Sequence, residues 1–171
     1  MHSSKIAALH DEYSELIEFC RSNEQVSFEM YINDTYKKAL LLSAASFFEA
    51  TITKAIHDYV DIKSHQTPEI IAFLDNKAIK RQYHTFFNWD GNNATHFFGL
   101  FGENFKRRAR EEIRSRALDA AETAFIAVGR ERNRLVHQNY AEAQINDTFE
   151  EIWIKYTKAC DFVELIAQLL S

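Results

Sequence analysis

Proline and glycine are scarce in this sequence, whose 171 residues contain one proline and four glycines. Strands joined by tight turns usually need more of both, because glycine adopts positive φ and proline presets the geometry of a turn. Hydrophobic residues make up 46% of the chain and include 14 Phe, 7 Tyr and 2 Trp, so a large apolar core is available. One core commonly organises about 100 to 200 residues. The sequence therefore predicts a single all-α domain over residues 1–171.

Apolar residues spaced three and four apart predict where the first helices lie. Residues 6–20 form an amphipathic helix that Ser3 or Ser4 opens and that ends near Asn23. Asp34 is the expected cap of a longer second helix. This second helix is apolar on most sides, so it belongs in the centre of a bundle.

A few residues that start or stop helices punctuate the rest of the chain. Thr67 and Pro68 suit the cap and first turn of a shorter helix that runs to about Tyr83. Further on we expect a turn at 88–93, a compact aromatic segment at 94–101 ended by Gly102, helix from 103 to about 140 with one break near Ser115, and a C-terminal helix capped by Asn146 or Asp147. Together these elements predict a bundle of about five to seven helices.

Charge and hydropathy narrow the classes of function. The net charge of −5 gives no overall attraction for nucleic acid, so RNA or DNA binding requires a local basic patch. The apolar stretch at 39–53 is interrupted by Glu49 and is too short for a bilayer core of about 30 Å. Residues 1–20 carry no signal pattern. We expect a cytoplasmic protein without membrane association.

Cysteine and histidine spacing favours neither a disulfide nor a metal site. Cys20 and Cys160 each fall in an apolar helical stripe, where a free thiol behaves as a small hydrophobe. No ligand spacing such as His-x-x-x-His relates the histidines in the body of the chain, which are His57, His65, His84 and His96. We therefore expect no bound metal and no cofactor.

Three polar residues near the end of the predicted helix at 103–140 are candidates for catalysis. Asn133 and His137 are four residues apart and share one helix face. Arg132 lies about 140° away from His137, but its long side chain can sweep back towards that face. RNA cleavage by attack of the 2′-hydroxyl needs proton transfer and a positive group at the phosphate. Imidazole exchanges protons near neutral pH and guanidinium binds phosphate, so His137 and Arg132 supply these groups.

The motif has a simpler alternative interpretation, and it contains one histidine for a reaction with two proton transfers. Cations at the end of a helix are typical of ordinary contacts with exposed carbonyls and the helix dipole. One imidazole does not easily serve as both base and acid in a single step. A two-fold dimer with these helix ends facing would bring two copies of Arg132 and His137 together. The sequence therefore predicts a homodimer with a composite site.

Glu49 and a set of basic residues are candidates for supporting this site. A carboxylate inside an apolar stretch is costly unless a cation pairs with it, and we expect Arg132 or Arg130 as the partner of Glu49. Glu49 would orient the catalytic arginine; the alternative is a structural ion pair or exposure at the edge of the bundle. The candidates for binding RNA phosphates, with a solvated helix face as the alternative, are Lys106, Arg107, Arg108, Arg110, Arg130 and Arg134.

Three blocks of the sequence are similar to the HEPN superfamily, in particular to its RiboL-PSP-like and related small nuclease branches. They are LLLSAASFFEATITKAIHDYV at 40–60, FFNWDGNNATHFFGLFGENFK at 86–106 and GRERNRLVHQNY at 129–140, the last of which carries the R-N-x-x-x-H signature. The resemblance implies a helical bundle, RNase activity without metal, cyclic-phosphate products and a dimeric site. It implies Arg132 and His137 as the catalytic pair, with Asn133 as their polar assistant.

Two functions fit this resemblance. The first is an RNA endonuclease that acts as a toxin or as an antiviral, abortive-infection effector. The alternative is a non-catalytic dimerisation or RNA-binding module within a larger defence or toxin–antitoxin complex. In both cases we expect RNA and a second copy of the chain as partners, and an antitoxin, nucleotidyltransferase or ATPase as a further one.

Overall fold

The computed structural model describes residues 2–138 and 140–171, and no strand occurs among them. The all-α prediction is confirmed. These residues form eight α-helices, one more than the upper end of the predicted range, because two connections form short helices of their own. In chain order the helices are α1 (Ser4–Ser22), α2 (Val26–Lys63), α3 (Pro68–Leu74), α4 (Tyr83–Phe86), α5 (Thr95–Gly99), α6 (Glu103–Ser115), α7 (Asp119–His137) and α8 (Phe149–Leu169), and a π-helical segment (Asp75–Ile79) follows α3.

The 38-residue helix α2 is the centre of the bundle, as its apolar sequence predicted. It packs against α1, α7 and α8, and Leu40, Ala44, Phe48 and Ile52 are buried in these contacts. The continuous helix is longer than the apolar stretch at 39–53, so by length and composition it could cross a membrane. The central helix of a packed bundle meets the same criteria. The cytoplasmic location stays a prediction.

The prediction that Asp34 caps the second helix is wrong. α2 begins eight residues earlier, at Val26, because neither glycine nor proline separates the two positions. Asp34 lies inside the helix, where its Oδ2 accepts a hydrogen bond from Lys38 Nζ at 2.8 Å. The Lys38 side chain is buried, so this carboxylate one turn away offsets the cost of burying its charge.

The cap of the C-terminal helix is Thr148, just beyond the predicted Asn146 or Asp147. Thr148 Oγ1 accepts a hydrogen bond from the backbone N–H of Glu151 at 3.1 Å, and the Glu151 carboxylate accepts one from the Thr148 N–H at 2.7 Å. This reciprocal arrangement satisfies two backbone donors at the start of α8. Asp147 instead accepts a hydrogen bond from Lys155 Nζ at 2.5 Å.

The predicted start of a helix at Pro68 is confirmed, but its extension to about Tyr83 is interrupted. α3 ends at Leu74, the π-helical segment carries the chain to Ile79, and Arg81 adopts a φ of 62° before α4 begins. A left-handed φ is unusual for a residue with a side chain and does not continue a right-handed helix. The break lets the chain turn so that α4 lines a cleft with the C-terminal half of α7.

α7 and α8 form the other half of the core and pack closely along their lengths. The break predicted near Ser115 is confirmed, since α6 ends there and α7 starts at Asp119. Cys20 and Cys160 are buried free thiols. Burial raises the pKa of the Cys160 thiol to about 11, so it stays protonated and packs as an apolar side chain.

Candidate active site

A cleft beside the C-terminal half of α7 brings the predicted motif residues together. α7 ends at His137, and Arg132, Asn133 and His137 all line this cleft, as does Glu49 from α2. The cleft is open to solvent and has a volume of about 390 Å³. Its other lining residues are Arg81, Tyr83, His84 and Val136. Three segments that are distant in sequence therefore surround one solvent-open space.

Arg132 is held loosely in this cleft. Its Nη2 lies 3.6 Å from Glu49 Oε2, and its Nη1 donates a hydrogen bond to Asn133 Oδ1 at 3.1 Å. The Arg132 and Glu49 side chains are 33% and 42% exposed. Glu49 therefore lies at the edge of the bundle, and its partner is one of the two arginines that the sequence suggested. Most of the five N–H donors of the guanidinium remain available for an anion.

His137 occupies the last position of α7, beyond which Gln138 adopts an extended backbone. Its side chain is exposed, and no hydrogen bond or ion pair engages its imidazole within residues 2–138 and 140–171. Asn133, one helical turn earlier, lines the same cleft. The imidazole is thus accessible to a ligand in the cleft.

Tyr83 is the cleft residue whose protonation is most affected by its surroundings. Burial raises the pKa of its phenol, the nearby Glu49 carboxylate raises it further, and Arg132 opposes the rise. The ring packs against those of Phe86 and Phe87. Tyr83 therefore keeps its proton and contributes a neutral hydroxyl.

Trp89 connects α4, which forms one wall of the cleft, to α7, which forms the other. Its ring fills a notch at Gly129, where an added Cβ would lie 1.9 Å from the indole. The indole Nε1 donates a hydrogen bond to the His84 carbonyl at 2.9 Å. Arg130 Nε donates to the Trp89 carbonyl at 2.9 Å, and its Nη2 donates to the Gly91 carbonyl. The glycine one turn before the motif is therefore required for close packing of the two walls.

Arg130 and Arg134, both candidates for RNA binding, are engaged in contacts with neighbouring backbone and side chains. Arg130 donates to the backbone carbonyls of Trp89 and Gly91. Arg134 Nη2 lies 2.7 Å from the Glu131 carboxylate and also donates to the Gln144 carbonyl at 2.5 Å, while Nη1 reaches Gln138. Neither residue lines the cleft. Both arginines thus lie next to the cleft-lining residues of α7, in contacts that hold the surrounding connections.

The basic residues of α6 lie towards the opposite end of α7. Arg110 contacts Glu122 in the first turn of α7 at 2.9 and 2.5 Å, and Glu122 precedes Arg132 by ten residues, or about 15 Å along a helix. None of the α6 residues lines the cleft. The others make local contacts: Lys106 with Glu103, Arg107 with Asn104, and Arg108 with the ring of Phe105.

The aromatic residues between 86 and 101 close one end of the core. Phe86, Phe87, Phe97 and Phe98 are buried, and Trp89 packs against them in part. Their faces are therefore occupied by other side chains, which is the arrangement expected for a core cluster. Among the described residues, no three His, Cys, Asp or Glu side chains group as metal ligands.

Arg81, Tyr83 and His84 were not predicted as site residues from the sequence. They precede the motif by about fifty positions and share no spacing with it. An arginine, a tyrosine and a histidine within four residues are the only local signal, and such groups are common on helix surfaces. Their place in the cleft depends on the break at Arg81 and on the packing of Trp89.

Comparison with known protein families identifies a match that spans nearly the whole chain. A family model described as RiboL-PSP-HEPN matches residues 7–171. No curated protein and no solved structure matches the chain. The matched range includes the whole cleft and each of the three sequence blocks that resemble the HEPN superfamily.

Proposed function

Because the chain belongs to the RiboL-PSP-HEPN family, we propose that it is an RNA endonuclease that needs no metal ion and leaves a 2′,3′-cyclic phosphate. HEPN domains are often RNases, so a nuclease or RNA-binding role is the coarse expectation for this chain. One observation carries the finer proposal: Arg132, Asn133 and His137 line the same solvent-open cleft as Glu49. That cleft contains proton-transfer, phosphate-binding and positioning groups together.

The proposed reaction is a displacement at phosphorus. The 2′-hydroxyl loses its proton as its oxygen bonds to the adjacent phosphorus, the bond to the 5′-oxygen breaks, and that oxygen gains a proton. His137 performs a proton transfer, because its exposed imidazole suits exchange near neutral pH. Arg132 stabilises the charge on the phosphoryl oxygens; removing one such group commonly slows a reaction about 100- to 1,000-fold. Asn133 and Glu49 position the guanidinium.

An exposed apolar surface near the junction of α1 and α2 favours contact with another protein. Phe19, Val26, Phe28, Met30 and Tyr31 are between 61% and 74% exposed. Several large apolar side chains exposed at two adjoining helix ends are typical of interaction surfaces. It supports the second candidate function, a dimerisation or RNA-binding module in a larger defence complex. The homodimer and the antitoxin, nucleotidyltransferase or ATPase partner stay predictions, as do the toxin and antiviral roles.

The proposal is tested by incubating the purified chain with RNA in EDTA, beside Arg132→Ala and His137→Ala. We expect both variants to lose at least about 100-fold in cleavage rate. Arg21→Ala is the matched control, since this exposed arginine pairs with Glu29 in α1–α2, outside the cleft. Circular dichroism should show the same helicity for all four proteins.

Product analysis distinguishes the reaction class. Cleavage by 2′-hydroxyl attack leaves a 2′,3′-cyclic phosphate and a 5′-hydroxyl, and RNA with a 2′-deoxy residue at the cleaved position should resist. Equal cleavage by the wild type and both cleft variants would show that the activity resides elsewhere. Binding of RNA without any cleavage would favour the module.

A further inference from the structure

The cleft has a second wall that the sequence motif does not contain. Arg81, just before α4, and His84, in its first turn, face the same space as Arg132 and His137 of α7. Both side chains are exposed, and neither makes a side-chain hydrogen bond or ion pair within the described residues. Two free groups of the types that act on phosphate therefore lie opposite the motif.

We propose that His84 is the second proton-transfer residue of this cleft and that Arg81 is a second phosphate-binding cation, so that one chain holds a complete acid–base pair. This inference rests on the proposed nuclease function and deepens it. It replaces the partner's histidine as the source of the second imidazole. Dimerisation is then not needed to complete the acid–base pair.

Position favours this assignment because His84 is fixed from two sides. Its carbonyl accepts the hydrogen bond from Trp89, whose ring is seated on Gly129 in α7, one turn before the motif. Arg130 binds the Trp89 carbonyl from α7 as well. The segments that carry the two histidines, α4 and α7, are therefore held together by direct contacts. Two groups that act on one phosphate require such a fixed relative position.

Arg81 adopts its left-handed φ of 62° between the π-helical segment and α4. Such a backbone conformation is unfavourable for a residue with a side chain and often occurs at functional sites. π-helical segments also concentrate at functional sites. Here the two together turn the chain into the cleft and place a guanidinium there.

The reaction then balances within one chain. One imidazole starts neutral and accepts the proton of the 2′-hydroxyl as the new bond to phosphorus forms. The other starts protonated and gives its proton to the departing 5′-oxygen as that bond breaks. The two histidines end in exchanged protonation states, while Arg132 and Arg81 bind the phosphoryl oxygens throughout.

The charged and titratable groups facing His84 come from all three segments of the cleft. They are Glu49 from α2, Arg132 and His137 from α7, and Arg81 and Tyr83 from its own segment. Two cations opposed by one carboxylate give the cleft a positive balance that suits a phosphate. Tyr83 stays neutral, as its raised pKa requires.

His84→Ala tests the proposal, with His96→Ala as the matched control because His96 is also exposed and lies outside the cleft. We expect His84→Ala to slow RNA cleavage by about 100-fold or more, with one limb of the pH–rate profile lost. His96→Ala should remain within about twofold of the wild type. Arg81→Ala should weaken RNA binding and rate, while Arg81→Lys recovers part of the binding.

A substrate with sulfur in place of the bridging 5′-oxygen shows whether His84 transfers a proton or only shapes the cleft. A thiolate leaves without protonation, so this substrate should rescue whichever of His84→Ala and His137→Ala lacks the acid, and not the other. Rescue of neither variant overturns the proposal. Normal activity of His84→Ala also overturns it, as does recovery of activity on mixing the two variants, which would place the pair across two chains.

These outcomes separate the two proposals. If Arg132→Ala and His137→Ala cleave as well as the wild type, the nuclease assignment itself fails. If those two variants lose activity and His84→Ala does not, the nuclease assignment stands and the single-chain acid–base pair alone is wrong.

Discussion

Helix α7 contributes one residue to an arginine–glutamate ion pair near each of its ends. The two pairs differ in burial and in geometry. Near the start, Arg110 and Glu122 meet through two contacts of 2.9 and 2.5 Å, and the Glu122 side chain is 3% exposed. Its carboxylate also accepts the Ala94 N–H at 2.7 Å. Near the end, Arg132 and Glu49 approach only to 3.6 Å with both side chains partly exposed.

The difference shows that unused hydrogen-bonding capacity, more than positive charge, distinguishes a candidate binding group. Arg110 also reaches Thr95 and directs its fork at a buried carboxylate, so its donors are committed to α5 and α7. Arg132 has one long ion pair and one side-chain hydrogen bond. A phosphate can therefore engage Arg132 without breaking the fold, whereas engaging Arg110 would leave Glu122 buried without its cation.

Removing the buried partner is expected to give the largest change. Arg110→Ala should lower the free energy of unfolding by about 3 kcal/mol, because it strands a buried carboxylate. Urea denaturation followed by circular dichroism measures this loss. Arg107→Ala is the control, since Arg107 contacts only Asn104 at the surface and should change stability by less than about 0.5 kcal/mol. Equal stability of the two variants would contradict the structural role of the buried pair.

Displacing the cleft wall that contains α4, opposite the Arg132–Glu49 pair, should give the next largest change. Gly129→Ala pushes a methyl group into the Trp89 ring and should cost about 1 to 3 kcal/mol of stability. RNA cleavage should fall as well, although Arg132 and Glu49 are unchanged, because Trp89 positions His84. Gly99→Ala, whose Cβ meets no atom within 4 Å, is the control. Full activity of a destabilised Gly129→Ala protein would show that wall position does not matter.

Removing the negative charge of the Arg132–Glu49 pair should slow catalysis and leave the free energy of unfolding nearly unchanged. Glu49→Gln should slow cleavage about fivefold to tenfold, because the Arg132 guanidinium loses the charge that orients it. This factor corresponds to ~1 kcal/mol, near the largest interaction free energy expected for an exposed ion pair. The unfolding free energy should change by less than about 0.5 kcal/mol. Glu29→Gln removes a comparable exposed pair with Arg21, 3.0 Å apart, and should alter neither quantity. A large loss of stability in Glu49→Gln would instead make this pair structural.

The smallest expected effect is the pH dependence of stability that the buried pair contributes. Burial raises the pKa of the Glu122 carboxyl, opposed by the Ala94 N–H and the Arg110 guanidinium. The folded protein thus binds this proton more tightly than the unfolded chain, so stability relative to Glu122→Gln should fall as pH rises above 4.5. Glu151→Gln is a control of opposite sign, because the Thr148 N–H lowers the pKa of Glu151. Difference curves of equal sign would contradict this account.

Much of the helical organisation followed from local sequence. The start at Pro68, the break after Ser115 and the central position of α2 were predicted, because capping, breaking and apolar periodicity act within a few residues. The prediction at Asp34 was wrong because the sequence does not distinguish an N-cap aspartate from one inside a helix that pairs with Lys38. Only the packing of Lys38 into the core decided between them.

The candidate site also has one part that the sequence predicted and one part that it did not. Asn133 and His137 share a helix face by spacing alone, and Arg132 adjoins them, so the motif wall was visible in the sequence. The opposite wall was not, because His84 reaches the cleft only through a left-handed turn and a tryptophan seated on a glycine some forty residues away. Helix periodicity is a property of neighbours along the chain. Convergence of distant segments is set by side-chain packing, which only the tertiary structure decides.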